Sequence, residues 1–231
     1  MGWFLKICLV LGLLAGGVLA APGAAQAGEW VCPAKAPEIK LSRVLGKTKL
    51  YRTKDIHALT HMHSEGGAVR QGVHVNGLGG GKIGLEGLAS FTVMQRGEQA
   101  CIWLKGIEAK FFAFPTIHIA NNFPKDTCEY NAVLEHEKDH IRVLQDFHKE
   151  FAPKFKTALR RIASDIEAQG PFNAASAEAI QGDMNARINS GIQAFNDSII
   201  PVLEARQAKV DSPSEYARVE AQCKNWARYV Q

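Results

Sequence analysis

The chain has 231 residues, and its 27 lysines and arginines against 23 aspartates and glutamates give a formal net charge of +4 at pH 7. A surplus this small excludes the strongly basic classes and gives no support for binding to nucleic acid or to a membrane through a polybasic surface. Hydrophobic residues make up 46% of the chain. At this length they suffice for the core of one domain, or of one domain in two lobes.

The first 27 residues have the pattern of an export signal. Lys6 supplies a positive start, residues 7–21 form an apolar run, and Ala25-Gln26-Ala27 is a small-x-small cleavage site. The alternative is an uncleaved membrane anchor, but the small residues and the cleavage pattern favour removal after Ala27. No later apolar run is long enough to span a membrane. We therefore predict a periplasmic or secreted protein with no stable membrane insertion and no nucleic-acid partner.

Residues 28–125 have the pattern of a β-rich lobe. Apolar and polar residues alternate with a period of two in several short runs, which include Ile39 and Leu41, Val73 and Val75, Ile83 and Leu85, Phe91 and Val93, and Ile102 and Leu104. Glycines at 66–67, 77 and 79–81 predict turns or a mobile loop over a cleft. The run 79–82 lacks the strand and helix context of a phosphate-binding loop, so we reject that function.

A histidine-rich segment lies inside this lobe, with histidines at 57, 61 and 63. On a strand, His61 and His63 would project from one face, as in many metal sites. The alternative is a set of solvent-exposed loop histidines, which is the more common situation for short histidine tracts.

The apolar segment 111–120 ends the lobe. Pro115 cannot donate a ladder hydrogen bond, which favours an edge strand or a bulge over a central strand. An edge strand beside a cleft can hold an extended peptide. The alternative is an ordinary core strand.

The strongest chemical signal is His136-Glu137-x-x-His140, within the segment Cys-Glu-Tyr-Asn-Ala-Val-Leu-Glu-His-Glu-Lys-Asp-His that spans residues 128–140. On a helix, residues four apart share one face, so both imidazoles can bind one Zn²⁺ ion. Glu137 can then orient and deprotonate a water molecule at the metal. Asp126 or Thr127 is suited to cap this helix, and no glycine or proline interrupts the chain before Pro153.

The alternative for this motif is a helix with two satisfied core histidines and a solvated glutamate. The apolar residues of the segment favour the metal site, because they recur on the side that carries both histidines. These apolar residues are Ala132, Val133, Val143, Leu144 and Phe147.

Residues 126–231 are predicted to form a helical lobe, and the part that follows the motif helix is predicted to be a helical bundle. Pro153 suits the first position of a second helix, which Gly170-Pro171 would end. A long apolar stripe follows, with Pro201 expected to kink or split its helix. Ser212-Pro213 marks the start of the last helix.

The cysteines predict two disulfides. Cys8 belongs to the signal, and an exported chain with four further cysteines favours two bridges, made by Cys32, Cys101, Cys128 and Cys223. Three pairings are possible, and we favour Cys101–Cys128 with Cys32–Cys223. Their spacings match no zinc-finger pattern, so zinc ligation by cysteine is not expected.

A catalytic zinc ion needs a third protein ligand. Asp146 is a poor candidate, because on a continuing helix it lies roughly 120° around and about 9 Å along from His140. If the chain reverses near Ala152-Pro153, antiparallel pairing brings Asp165 or Glu167 level with the motif. These two are the leading candidates for a ligand that the sequence leaves unassigned. The other open positions are Glu178, Glu204, His118, His61 and His63.

The export signal and the segment 128–140 resemble bacterial secreted proteins classed as zinc-dependent proteases of the zincin group, over about residues 115–150. The resemblance implies a sheet packed on the active helix, with the substrate strand along the sheet edge. It implies His136 and His140 as zinc ligands and Glu137 as general base. Neither the metzincin nor the gluzincin motif for a third ligand is present.

We therefore expect an α+β fold with an N-terminal antiparallel sheet, a zincin-like active-site helix and a C-terminal helical bundle. The expected function is an exported metallopeptidase with one zinc ion per chain, acting on peptides or proteins. The alternative is a non-catalytic cell-envelope binding or assembly protein with a structural or vestigial metal site.

Overall fold

The computed structural model describes residues 30–33, 35–65 and 74–229. The predicted signal, residues 1–27, and the glycine pair at 66–67 lie outside the described residues. The helices are α1 (Ile56–Glu65), α2 (Cys128–Ser164), α3 (Ala177–Val210) and α4 (Pro213–Glu220), with two short 3₁₀ turns at Ala174–Ser176 and Trp226–Arg228.

A 21-residue strand, β4 (Gln99–Ile119), is the centre of a five-stranded sheet. One edge of β4 pairs along its whole length with the antiparallel strand β3 (Gly77–Arg96). The other edge pairs in turn with β5 (Gln169–Asn173), β1 (Glu38–Leu45) and β2 (Lys49–Tyr51). Because β1 and β2 run parallel to β4, the sheet is mixed, and the predicted antiparallel sheet is wrong for these two strands. The alternation of side chains identifies a strand but not its direction.

The segment 111–120 lies in this central strand, so the prediction of an edge strand is wrong. Pro115 is accommodated because the pairing with β1 ends at Ala113 and the pairing with β2 begins at Thr116. The missing N–H of Pro115 therefore falls in a gap between two partner strands. Among the described residues each of the other four strands pairs only with β4, so the long strand β3 forms one edge of the sheet.

Helix α2 begins as the sequence predicts and then continues beyond the predicted break. Thr127 is the N-cap, and its side chain accepts a hydrogen bond from the backbone N–H of Tyr130 at 3.2 Å. The helix runs through Pro153 for 37 residues, so the predicted chain reversal there is wrong. An interior proline costs about 3 kcal/mol, whereas each buried Leu or Phe side chain contributes about 1.5–3 kcal/mol. Four such residues continue one buried stripe across Pro153, and they are Phe147, Phe151, Phe155 and Leu159.

Helix α3 likewise continues through Pro201. Its buried stripe packs on α2 and on the sheet, and consists of Met184, Ile188, Ile192, Ile199 and Leu203. Helix α4 starts where the sequence predicts, with Ser212 as N-cap and Pro213 at its first position. No described helix has both the length and the apolar character that a membrane span requires.

One hydrophobic core joins the sheet to both long helices. It includes Ile107 and Phe111 of β4, Phe147 and Phe155 of α2, and Ile188 of α3. The described residues from Val31 onward form a single compact unit. The β-rich and helical parts of the sequence therefore share a core, in a mixed fold consistent with the α+β class.

Two disulfides form, as the cysteine count predicts, but they connect Cys32 with Cys101 and Cys128 with Cys223. The pairing that we favoured from the sequence is wrong. Cys101 lies near the start of β4 and Cys128 follows its end, so the two are separated by roughly 60 Å of extended strand at about 3.4 Å per residue. A disulfide requires Cα atoms no more than about 7 Å apart.

Candidate metal centre

His136 and His140 project from the buried face of α2, one helical turn apart. They are 7% and 5% exposed, and their ring centroids lie 5.1 Å apart. Glu137, between them in sequence, is also buried. The helix that the motif requires is therefore present, and its histidines face the interior rather than solvent.

The third group of the site is Asp211, which ends helix α3 as its C-cap. Its Oδ1 atom lies 3.3 Å from Nε2 of His136 and 3.1 Å from Nε2 of His140. One ligand atom from each residue lies within 4.8 Å of the other two. Tetrahedral ligands at the bond lengths of zinc lie about 3.3 Å from one another, so this donor set fits a zinc ion.

Gln207 determines which nitrogen of His140 faces this group. The Gln207 Nε2 atom donates to the backbone carbonyl of His140 at 3.2 Å, so the amide oxygen must face the imidazole ring. That oxygen lies 2.6 Å from Nδ1 of His140 and can only accept, so Nδ1 carries the hydrogen. In the neutral ring, the lone pair of Nε2 then points at Asp211.

Two acceptors at 3.1 Å repel each other unless a cation or a proton lies between them. Burial raises the pKa of Asp211, but hydrogen bonds to His136 and His140 outweigh burial and leave this pKa lowered. Burial lowers the pKa of His140, but its bonds to Asp211 and Gln207 leave that pKa raised. Positive charge is thus favoured at the point where the donor atoms meet, as at a cation site.

Glu137 is enclosed by the glycine-rich start of β3. A Cβ atom at Gly77 would lie 2.5 Å from Oε1 of Glu137, and one at Gly79 would lie 2.5 Å from the backbone oxygen of Glu137. The glycines at 77 and 79–81 therefore belong to a strand that approaches α2 closely, and the turn or loop that we predicted there is wrong. Burial raises the pKa of Glu137 to about 7, although a hydrogen bond from the backbone of Gly79 acts to lower it.

Tyr216 of helix α4 completes the polar group. Its hydroxyl donates to Oδ1 of Asp211 at 2.8 Å, and its ring lies 5.6 Å from the ring of His136. The side chain is 53% exposed. Tyr216 thus lies between the candidate ligands and solvent.

A cavity of about 980 Å³ opens beside these residues. Its walls come from the start of β3, the motif face of α2, and the segment 203–220 of α3 and α4. Among the described residues that line it there is no lysine or arginine, whereas Glu204 and Glu220 join Glu137 and Asp211 on its walls. A volume of this size accommodates several residues of a peptide.

The structure does not bring the sequence-predicted third ligands to this group. Asp165 and Glu167 are exposed near the far end of α2, about 37 Å from His140 at 1.5 Å per residue. They were placed near the motif only by the chain reversal at Pro153, which does not occur. His118 stacks on Tyr51 away from the group.

The other positions that the sequence left open also lie outside the group. His57, His61 and His63 lie on helix α1, so neither the strand nor the loop considered for this segment is present, although His63 lines the cavity. Among the described residues, the only cluster with metal-ligand spacing is His136, His140 and Asp211. Glu204 lines the cavity without joining that cluster.

Sequence reasoning missed Asp211, although a signal for it exists. The buried stripe of α3 continues from Leu203 at intervals of four to Gln207 and Asp211. Polar residues at the end of an apolar stripe, directly before the helix start at Ser212-Pro213, indicate a buried polar site.

Comparison with protein-family models, with curated proteins and with solved structures finds no match to this chain. The site itself consists of two histidines and an aspartate with converging donor atoms, beside a buried glutamate and an open cavity.

Proposed function

We propose that the protein is an exported zinc-dependent peptidase in which His136, His140 and Asp211 hold the metal. The observation that carries this proposal is the convergence of two Nε2 atoms on one carboxylate oxygen, at 3.3 and 3.1 Å. Three protein ligands are the usual complement of a catalytic zinc site, whereas structural sites use four. The two disulfides agree with an oxidising compartment.

Glu137 is the proposed general base. A zinc ion in such a site activates water as a nucleophile and polarises the carbonyl that is attacked. A base is most effective when its pKa lies near the working pH, and burial places the pKa of Glu137 at about 7. The backbone of Gly79 holds the carboxylate in place, so Glu137 is oriented before a substrate arrives.

The free edge of β3 is the proposed substrate platform. Among the described residues β3 pairs only with β4, and its residues 77–81 line the cavity. An extended peptide can pair with such an edge through its main chain. The walls carry carboxylates and no lysine or arginine among the described residues, which favours neutral or basic peptides over acidic ones.

The test measures metal content and hydrolysis together. Purified protein should contain about one zinc ion per chain, as expected for a three-ligand site, and should cleave peptides from a mixed library of neutral and basic sequences. His136→Ala should lose the zinc. Zinc-free protein that is correctly folded and cannot be loaded would overturn the proposal, and a zinc-loaded protein without hydrolysis would favour the non-catalytic binding function instead.

A further inference from the structure

The two histidines of the site are not held in the same way. His140 makes two hydrogen bonds with Gln207, at 2.6 Å from its ring and at 3.2 Å from its backbone carbonyl. His136 has a buried Nδ1 atom that has no hydrogen-bond partner among the described residues. Both Nε2 atoms approach Asp211, so the difference between the rings lies at Nδ1.

We propose that Gln207 is the positioning residue of the metal centre, which fixes the tautomer and the ring orientation of His140. This inference rests on the metal site proposed above. A metal-binding imidazole must present an unprotonated nitrogen, and the hydrogen bond made by the other nitrogen decides which one that is. The Gln207 oxygen holds the hydrogen on Nδ1, which leaves Nε2 free for the metal.

The second contact of Gln207 makes this orientation specific. Its amide nitrogen is bound to the carbonyl of the same residue whose ring it contacts. The amide therefore cannot rotate by 180° without placing its oxygen against a carbonyl oxygen, which is repulsive. The Gln207 side chain thus fixes the imidazole ring of His140 relative to the backbone of His140.

Helix α3 delivers both the positioning residue and the third ligand. Gln207 lies one turn before Asp211 and one turn after the buried Leu203, so the three share a face. An ion pair at 2.7 Å between Arg206 and Glu150 joins α3 to α2 next to this face. The packing of α3 on α2 therefore brings Asp211 into contact with His140.

The experiment separates the two halves of the Gln207 contact. Gln207→Met keeps the length of the side chain but has neither a donor nor a strong acceptor. Gln207→Glu keeps an acceptor for Nδ1, but it replaces the donor to the carbonyl with an oxygen and adds a negative charge. Gln193→Met is the matched control, since Gln193 lies on the same helix and its amide binds the exposed Asp197.

The readouts are the dissociation constant for zinc, from competition with a chromophoric chelator, and the tautomer of His140 in zinc-free protein, from ¹⁵N NMR. We expect Gln207→Met to weaken zinc binding about 10- to 100-fold, the usual effect of losing such a partner, and to mix the tautomers. Gln207→Glu should retain the Nδ1–H tautomer and bind zinc more tightly than Gln207→Met. Gln193→Met should match the wild type.

Three outcomes would overturn the inference. One is zinc binding by Gln207→Met within twofold of the wild type. Another is equal loss in the Met and Glu variants, which would assign the effect to packing. The last is a wild-type tautomer with hydrogen on Nε2. Failure of the wild type to bind zinc would instead overturn the proposed function. If Gln207→Met does not fold, zinc binding by Gln207→Glu and the tautomer of His140 in the wild type still test the role of Gln207.

Discussion

Asp211 and His140 are 71 residues apart in sequence, yet the carboxylate oxygen of one lies 3.1 Å from the ring nitrogen of the other. The aspartate ends one long helix and the histidine lies within another. Their meeting depends on the packing of α3 against α2, through the core residues that the two helices share. The candidate centre is therefore a property of a helix pair rather than of the motif helix alone.

This relationship predicts the effect of Asp211→Asn. The amide keeps the size of the side chain but removes its charge, so the histidines lose their anionic partner and the metal loses a ligand. We expect zinc affinity to fall by at least about 100-fold, the upper end of what loss of even a supporting partner causes. Asp165→Asn is the control, because Asp165 is exposed far from the site. Equal affinities in both variants, measured by chelator competition, would contradict the assignment of Asp211.

Glu137→Gln should separate metal binding from hydrolysis. Glu137 is not among the three candidate ligands, so zinc content should stay at the wild-type level. Loss of the base should lower kcat by about 10²- to 10⁴-fold. Metal analysis and peptide hydrolysis on the same sample check this, and undiminished hydrolysis in the variant would show that another group takes the proton.

Gly79→Ala tests the close approach of β3 to α2. The new methyl group would lie 2.5 Å from a backbone oxygen and 2.8 Å from Cβ of His140, and neither can move without shifting the helix. We expect a loss of about 1–3 kcal/mol in the free energy of unfolding, typical of overpacking, together with weaker zinc binding. Gly182→Ala, at an open position in α3, should instead stabilise the protein by about 0.5–1 kcal/mol. Chemical denaturation of both variants gives the comparison, and a neutral Gly79→Ala would contradict the packing.

The two disulfides should have different effects on the site. Cys128–Cys223 connects the start of α2 to the C-terminal segment, where Asn225 also donates to the buried Glu129 at 3.0 Å. Cys32–Cys101 connects residues beside β5. Replacing either pair with serine should cost about 2–4 kcal/mol of stability.

Only the Cys128–Cys223 replacement should increase hydrogen exchange in α4, which carries Tyr216. Hydrogen-exchange mass spectrometry on both double variants measures this difference. Equal protection of α4 in the two variants would contradict the role of Cys128–Cys223 in holding the C-terminal segment.

His148 makes stability depend on pH. It is 1% exposed, and its Nε2 atom lies 2.9 Å from the carbonyl of Phe111, to which it donates. Burial lowers the pKa of His148 in the folded protein, and nearby Arg43 lowers it further. The unfolded chain therefore binds a proton first, and folded-state stability should fall as pH drops below about 6.5.

His148→Gln retains a donor for the Phe111 carbonyl. In this variant the part of the pH dependence of stability that comes from His148 should be absent. Urea denaturation at pH 7.5 and pH 5.5 should show a smaller loss on acidification than in the wild type. Identical losses in the two proteins would contradict this contribution of His148.

Much of the architecture around the site was predictable because its signals are local. The N-cap at Thr127, the start of α4 at Ser212-Pro213 and the histidine face of α2 depend on residues within a few positions of one another. Capping and helical periodicity act over that distance, so the sequence alone predicts them.

The residues that led to wrong predictions of helix breaks and of a turn are also local signals. Pro153 and Pro201 indicate helix breaks, but buried side chains on both sides of each proline keep α2 and α3 continuous. Gly79 indicates a turn, but it lies in a strand where a side chain would collide with α2. In each case tertiary packing outweighs a preference of the isolated segment.

The motif helix, the face that carries His136 and His140, and the cysteines available for two bridges follow from the sequence alone. The pairing of the cysteines and the approach of Asp211 and Gln207 to the histidines follow from tertiary packing, because these partners are distant in sequence. Their approach depends on where each long helix ends and how it packs; the stripe of α3 indicates a buried polar site but not the residues that it meets.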